Sequence, residues 1–128
     1  MTPAEKIVRQ IYGYVASGEF DAVLALLARD AHFEQAASLP FGGRYVGREG
    51  FTNMASRIVA AWPGFAVEPE AFMSNGAELV VVKTRLQGRG LDMPMLELWT
   101  VRDDVVAACQ PFYFDTAVAA ATAKENPL

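Results

Sequence analysis

Three short stretches of the chain hold side chains whose types and spacing could do chemistry. The first is "MLELWTV", residues 95–101, in which Glu97 is the one carboxylate of an otherwise apolar run with the look of a strand. An acid desolvated among apolar neighbours is pushed toward its neutral form, which makes it a hydrogen-bond donor or general acid near neutral pH. The plainer reading of Glu97 is a carboxyl tied to a nearby Arg or Tyr as structural glue. The second stretch, "PFYFD", sets Tyr113 and Asp115 two residues apart, so that on a strand both point to one face. The third, "ARDAHFEQ", residues 28–35, holds His32 and Gln35. His32 has the one side chain whose unperturbed pKa lies near 7, yet alternation from Gln35 turns it to the opposite face, which favours a surface or interface histidine.

The parity of the last strand decides whether Tyr113 and Asp115 face inward. A plain two-residue turn at Asp103-Asp104 would send Gln110, Phe112 and Phe114 inward instead, because a one-residue slip exchanges the two faces of a strand. A bulge there is the preferred reading, since without it Asp115 points outward and the Tyr113 hydroxyl has no use. Around these groups, Tyr14, Gln35 and Trp62 could orient a ligand's polar atoms, with Val82 and Trp99 as apolar neighbours of Glu97.

The elements that must position these groups are legible in the hydropathy pattern. Thr2, Pro3 and Glu5 read as an N-cap, a first-turn proline and a reach-back acid, opening a helix whose apolar face is Ile7, Ile11, Tyr14 and Val15 and which ends at Gly18. Residues 20–28 show helical spacing, and a first strand follows from near Ala31. The glycine-rich segment "SLPFGGRYVGREG" is a loop with brief edge pairing at 44–46, leading to a third helix over 48–62 that Pro63-Gly64 breaks. Strands are expected at 65–74, 78–87, 93–102 and 105–115, separated by Asn75-Gly76, "GRG" and Asp103-Asp104. The turns would place Glu68 opposite Lys83 and Val82 opposite Glu97. Helices first and an antiparallel meander after them make an α+β fold with the helices on one face of a curved sheet.

The bulk numbers set the limits. A chain of 128 residues is one ordinary domain, here 1–128, able to close a core without disulfides or metal. A hydrophobic fraction of 52% and a mean hydropathy of +0.16 point to apolar surface spent on a cavity, a partner subunit, or both. A net charge of −4 without a basic cluster offers nothing to nucleic acid or an anionic membrane. One cysteine, Cys109, and one histidine call for no disulfide, no metal and no cofactor, and Cys109 reads as a small buried residue. The charged N-terminus and the lack of an apolar run of roughly 20 residues make a cytoplasmic protein the expectation.

In element order, and in the local stretches "GEFDAVLALLARDAHFE" (18–34), "FGGRYVGREGF" (41–51) and "ELWTVRDDVVAACQPFYFDTA" (97–117), the chain resembles the SnoaL-like branch of the NTF2-like, or ketosteroid-isomerase-like, superfamily. The resemblance implies an NTF2-like cone, with three N-terminal helices packed on a curved, mostly antiparallel sheet that encloses an apolar pocket, and homodimers formed through the outer sheet face. Ketosteroid isomerase works with a carboxylate base and an oxyanion hole made of a tyrosine and a protonated acid. Carried over by resemblance, the base falls on Gln35, the tyrosine on Ile11 with Tyr12 and Tyr14 close by, and the protonated acid on Glu97. Glutamine takes no proton, so steroid isomerisation by that mechanism is not expected. The resemblance implies instead a small-molecule enzyme of isomerase, cyclase, dehydratase or hydrolase type for a polyketide-like or terpenoid-like ligand. In it Glu97 would supply acid chemistry, assisted by Tyr113, Asp115 and Gln35. The alternative is a non-catalytic module that binds an apolar ligand or mediates dimeric assembly.

Overall fold

The computed structural model describes residues 1–123; the last five residues of the expected domain, 124–128, lie outside the described residues. Thr2 caps the first helix, its hydroxyl accepting from the Glu5 amide, and α1 runs Pro3–Ala16 with Ala4, Val8, Ile11 and Tyr12 buried. Successive residues stand about 100° apart around a helix, so the buried face excludes Tyr14, which sits about 200° from Tyr12 and packs only at the margin of the core. The helix α2 is a single short piece, Phe20–Leu24, and β1 begins at Leu27, earlier than the pattern suggests. Residues 25–28 are taken from helix because Leu27 pairs with Val106 and the Leu26 carbonyl accepts from the Val106 amide.

One six-stranded sheet carries the rest, in the order β2-β1-β6-β5-β4-β3, with β1 Leu27–Gln35, β2 Gly43–Val46, β3 Ala66–Ser74, β4 Leu79–Gly88, β5 Leu91–Arg102 and β6 Val105–Tyr113. All neighbours are antiparallel except β1 and β6. The helix α3, Gly47–Ala61, follows β2 without a loop. Gly47 makes that corner at φ +74, with the Arg29 carbonyl 3.1 Å from where a Cβ would stand, so a larger residue would be strained twice over. Fold class and layering are those expected: an α+β unit with a curved, mostly antiparallel sheet and helices against its concave face.

Two details of register differ from the sequence reading. Glu68 pairs with Arg85 rather than Lys83, because the turn is longer than the Asn75-Gly76 pair, so that Ser74 pairs with Val80, and a bulge between Pro69 and Ala71 takes back only one residue; Lys83 pairs with Ala71 and forms an ion pair with Glu70. The Asp103-Asp104 turn is a plain two-residue turn, both residues at positive φ, and the extra residue lies farther on, where Thr100 pairs with Ala108 but Val101 with Val106. The bulge at Ala107 still gives the expected parity: Tyr113 faces in, while Phe112 and Phe114 are exposed. The chain does not continue as a strand to Asp115. It turns into an unforeseen fourth helix, α4 Thr116–Thr122, whose Ala119 is buried against the sheet.

The core divides into two clusters. One lies under α1, with Val8, Ile11, Tyr12, Val82 and Trp99. The other gathers Phe41, Trp62, Leu86, Met93 and Met95 beneath the end of α3 and α4. Arg57 holds the loop that delivers Phe41: its guanidinium donates to the Pro40 carbonyl (2.6 Å) and the Tyr45 hydroxyl (2.8 Å), and Tyr45 donates to the Phe41 carbonyl (2.6 Å). No helix among the described residues is long and apolar enough to cross a membrane.

Candidate functional site

Between the two clusters lies a cavity of about 140 Å³. Its sheet wall is built by period-two alternation. Phe33 and Gln35 come from β1, Met95, Glu97 and Trp99 from β5, and Cys109, Pro111 and Tyr113 from β6. The helix wall comes from the apolar stripe of α3, Phe51 through Ile58 at helical spacing, and from Ile11, Tyr12 and Val15 of α1. Phe20 and Val59, both partly exposed, stand where the cavity meets solvent.

Glu97 pairs with Val82 on β4, as the turn length predicts, and with Pro111 on β6, so its strand neighbours are apolar on both sides. Its Oε1 accepts from the Tyr12 hydroxyl, and the Tyr12 oxygen in turn accepts from the indole N–H of Trp99 at 3.1 Å. Burial raises the Glu97 carboxyl above its ordinary range, and the Tyr12 hydrogen bond pulls the other way without cancelling it. With Oε1 engaged as an acceptor, the proton of the neutral acid belongs on Oε2. The Tyr12 hydroxyl is raised by burial first and by the nearby Glu97 charge second, so it stays a donor at all ordinary pH. Edge-on rings lock it: Phe72 and Trp99 both lie 5.8 Å from the Tyr12 ring.

A second polar pair sits farther along the wall. Tyr113 donates to Gln35 Oε1 at 2.7 Å, and the Gln35 amide donates to the Met54 sulfur at 3.5 Å. Burial raises Tyr113 as well. The Cys109 thiol lies on the same wall and is pushed up by burial and by Glu97, which leaves it a neutral thiol and a poor nucleophile. Among the described residues the lining holds no Lys, Arg or His, so nothing there neutralises an anionic ligand.

The structure thus gathers five of the eight candidate residues on the cavity wall: Glu97, Tyr113, Gln35, Trp62 and Trp99. The other three are placed elsewhere. Asp115 does not share Tyr113's face, because the strand has ended; its carboxylate caps α4 by accepting from the Val118 amide at 3.1 Å. Val82 is fully buried in the core under α1, beside Glu97 but not on the lining. Tyr14 is turned away by helix geometry, and Tyr12 takes the place expected of a pocket tyrosine. Tyr12 is the cavity-wall side chain that the expected apolar face of the first helix leaves out. Its signal was the i, i+4 run Ala4, Val8, Tyr12, an apolar face as good as the one chosen. His32 lies off the cavity, on a strand position between Val46 and Ala108.

The fold defined by these elements is shared with proteins of known structure. An NTF2-like protein of unknown function from Burkholderia pseudomallei superposes with a TM-score of 0.85 at 20% identity, covering 95% of this chain and 98% of its own. TerC, crystallised with polyporic acid, gives 0.84 at 17% identity over 94% and 98%. A protein from Jannaschia sp., provisionally described as a SnoaL-like polyketide cyclase, gives 0.79 at 19% identity over 94% and 91%. Among proteins of curated function none matches the chain by sequence. The model of the SnoaL-like domain matches residues 8–109, most of the chain, and the protein belongs to that family.

Proposed function

We propose that this protein is a small-molecule enzyme in which Glu97, held neutral in an apolar cavity, acts as the acid on an uncharged cyclic ligand of polyketide-like or terpenoid-like kind. The observation that carries the reading is the relay from Trp99 through Tyr12 to Glu97, buried at its Trp99 end and half-buried at Glu97, placed on the cavity wall. A neutral carboxyl donates to a carbonyl, hydroxyl or epoxide oxygen as negative charge builds there, and the Tyr12 hydroxyl stabilises the carboxylate left behind. Isomerisation, cyclisation, dehydration and epoxide opening all make use of such an acid. That TerC was crystallised with polyporic acid, and that a relative from Jannaschia is provisionally described as a polyketide cyclase, supports a cyclic ligand.

A second reading has its own observation. By the resemblance Gln35 falls where ketosteroid isomerase has its base, and among the described residues the titratable groups on the wall are Glu97, Tyr12, Tyr113 and Cys109, each shifted toward its neutral form. A site without a ready base is suited to binding without turnover. Native mass spectrometry of the purified protein, with small-molecule extraction, separates the two. Turnover predicts that E97Q retains a bound compound that the wild type converts; a binding module predicts the same compound in both. If neither protein carries or takes up an apolar compound, the ligand-site reading fails altogether.

We also propose that the protein pairs through the outer face of its sheet. Leu96 and Phe112 are directly opposed on β5 and β6 and are 43% and 50% exposed, with Leu98 beside them on the same face. An apolar patch on the uncovered side of a sheet favours a partner of the same kind.

A further inference from the structure

The cavity of about 140 Å³ has room for one six-membered ring and little more, since an apolar cavity of roughly 150 Å³ accommodates benzene. It is not closed. Beyond its mouth a shallower groove of about 320 Å³ runs over the surface between α2 and α3. Phe20, Phe51, Ala55 and Val59 line both hollows and so form the boundary between them. The groove adds Leu24 from α2 and Thr52 and Ser56 from α3, none of which lines the cavity.

That boundary is a helix ridge with a dip in it. Phe51, Ala55 and Val59 follow one another at i, i+4 and i+8, so their side chains form a single row along α3. Phe51 is buried, its ring held against that of Phe33 at 5.3 Å. Val59 stands at the other end of the row and is 47% exposed. Between them Ala55 offers only a methyl group. Across the dip α2 contributes Phe20, 39% exposed. The next row of α3, Thr52 and Ser56, is small as well, and the Thr52 hydroxyl is spent on the Arg48 carbonyl at 3.1 Å. Among the described residues Asp21 is the one charged group on the groove lining, which disfavours an anionic occupant. A protein partner would meet the groove alone; its continuity with an enclosed hollow points to one ligand spanning both.

We infer that the ligand is a ring bearing an unbranched, uncharged apolar chain, the ring held in the cavity and the chain passing over Ala55, between Phe20 and Val59, to lie along Leu24, Thr52 and Ser56. Ala55 is then a specificity-determining residue, because a larger side chain there raises the ridge. A ligand confined to the cavity leaves Phe20 and Val59 facing water, whereas a chain laid across them covers that apolar surface. Complete burial of a methylene group is worth roughly fourfold in affinity, and a groove open on one side returns about twofold. The inference rests on reading the cavity as a ligand site and does not need Glu97 to perform catalysis.

The test uses cyclohexanone and its 4-ethyl, 4-propyl and 4-pentyl derivatives as probes. Affinity for the wild type is expected to rise about twofold per methylene, so that the pentyl compound binds roughly thirtyfold more tightly than cyclohexanone. That ratio should fall toward one in A55L and in S56W, the second of which alters the groove and not the cavity lining. In the wild-type complex the terminal methyl of the pentyl chain should give intermolecular NOEs to the Leu24 and Thr52 methyls, and the ring protons to Trp99 and Tyr113. Affinity that stops rising after ethyl, or a terminal methyl with NOEs to cavity residues alone, overturns the inference, even if A55L fails to fold; so does an unchanged ratio in a folded S56W. Those outcomes leave the ligand-site reading intact so long as cyclohexanone binds. No binding of any probe to the wild type overturns both.

Discussion

The Tyr12 hydroxyl donates to Glu97 Oε1 across 85 residues of sequence, joining α1 to the middle of β5 where, among the described residues, the cavity wall carries its one acid. Two opposed effects meet in that contact. Burial favours the neutral acid, and the tyrosine proton favours the carboxylate. The balance leaves an acid that is neutral at rest and whose charged form already has a partner waiting.

Removing the tyrosine hydroxyl should therefore change both partners. In Y12F the Glu97 carboxyl loses the contact that lowers its pKa, so it titrates higher than in the wild type. The Trp99 N–H also loses its acceptor. A stability loss of about 1–3 kcal/mol is expected in urea unfolding, the usual cost of orphaning a buried donor. Unchanged stability would mean that the relay contributes little to the fold.

Stability should also fall with rising pH over a definite window. Glu97 is raised from an ordinary value of 4.5, so between 4.5 and its folded value the native state holds a proton that the unfolded chain has lost. The corresponding contribution is present below 4.5 and lost as pH climbs to the folded value, with a slope of at most about 1.4 kcal/mol per pH unit. In E97Q that segment of the urea-midpoint profile should be flat. A wild-type profile that parallels E97Q throughout would show that Glu97 is not raised.

Asp115 offers a control on the site's boundary. As the N-cap of α4, D115A should cost about 0.5–2 kcal/mol in thermal or urea unfolding. Because Asp115 lies off the cavity, probe affinity and the titration of Glu97 should not move. A loss of ligand binding with unchanged stability would place Asp115 back among the functional residues.

The proposed pairing predicts that a charge at Leu96 or Phe112 separates the protomers. Sedimentation equilibrium should give a dimer for the wild type and a monomer for L96E and F112E, with the fold intact by circular dichroism. A wild-type monomer at micromolar concentration would contradict the pairing.

Element order as far as β6, the edge strand at 44–46, the cavity stripe of α3 and the pairing of Val82 with Glu97 were legible in the sequence, because each rests on periodicity or on the length of one turn. Tyr113's orientation was legible only through an argument about wasted polar groups; the responsible bulge sits at Ala107, away from the turn, where no local signal marks it. What failed depended on contacts between distant segments. Tyr12 and Tyr14 are equally good helix residues until β5 supplies the Glu97 carboxyl, and Asp115 is as good a strand residue as a cap until α4 exists.

The central claim is that Glu97 is a neutral acid inside the cavity, and infrared difference spectroscopy tests it most directly. Wild-type minus E97Q spectra across pH should show a protonated-carboxyl C=O band belonging to Glu97 that persists well above 4.5 and moves to still higher pH in Y12F. A band that titrates at 4.5 or below would make Glu97 an ordinary solvated carboxylate and would remove the acid from the proposed chemistry.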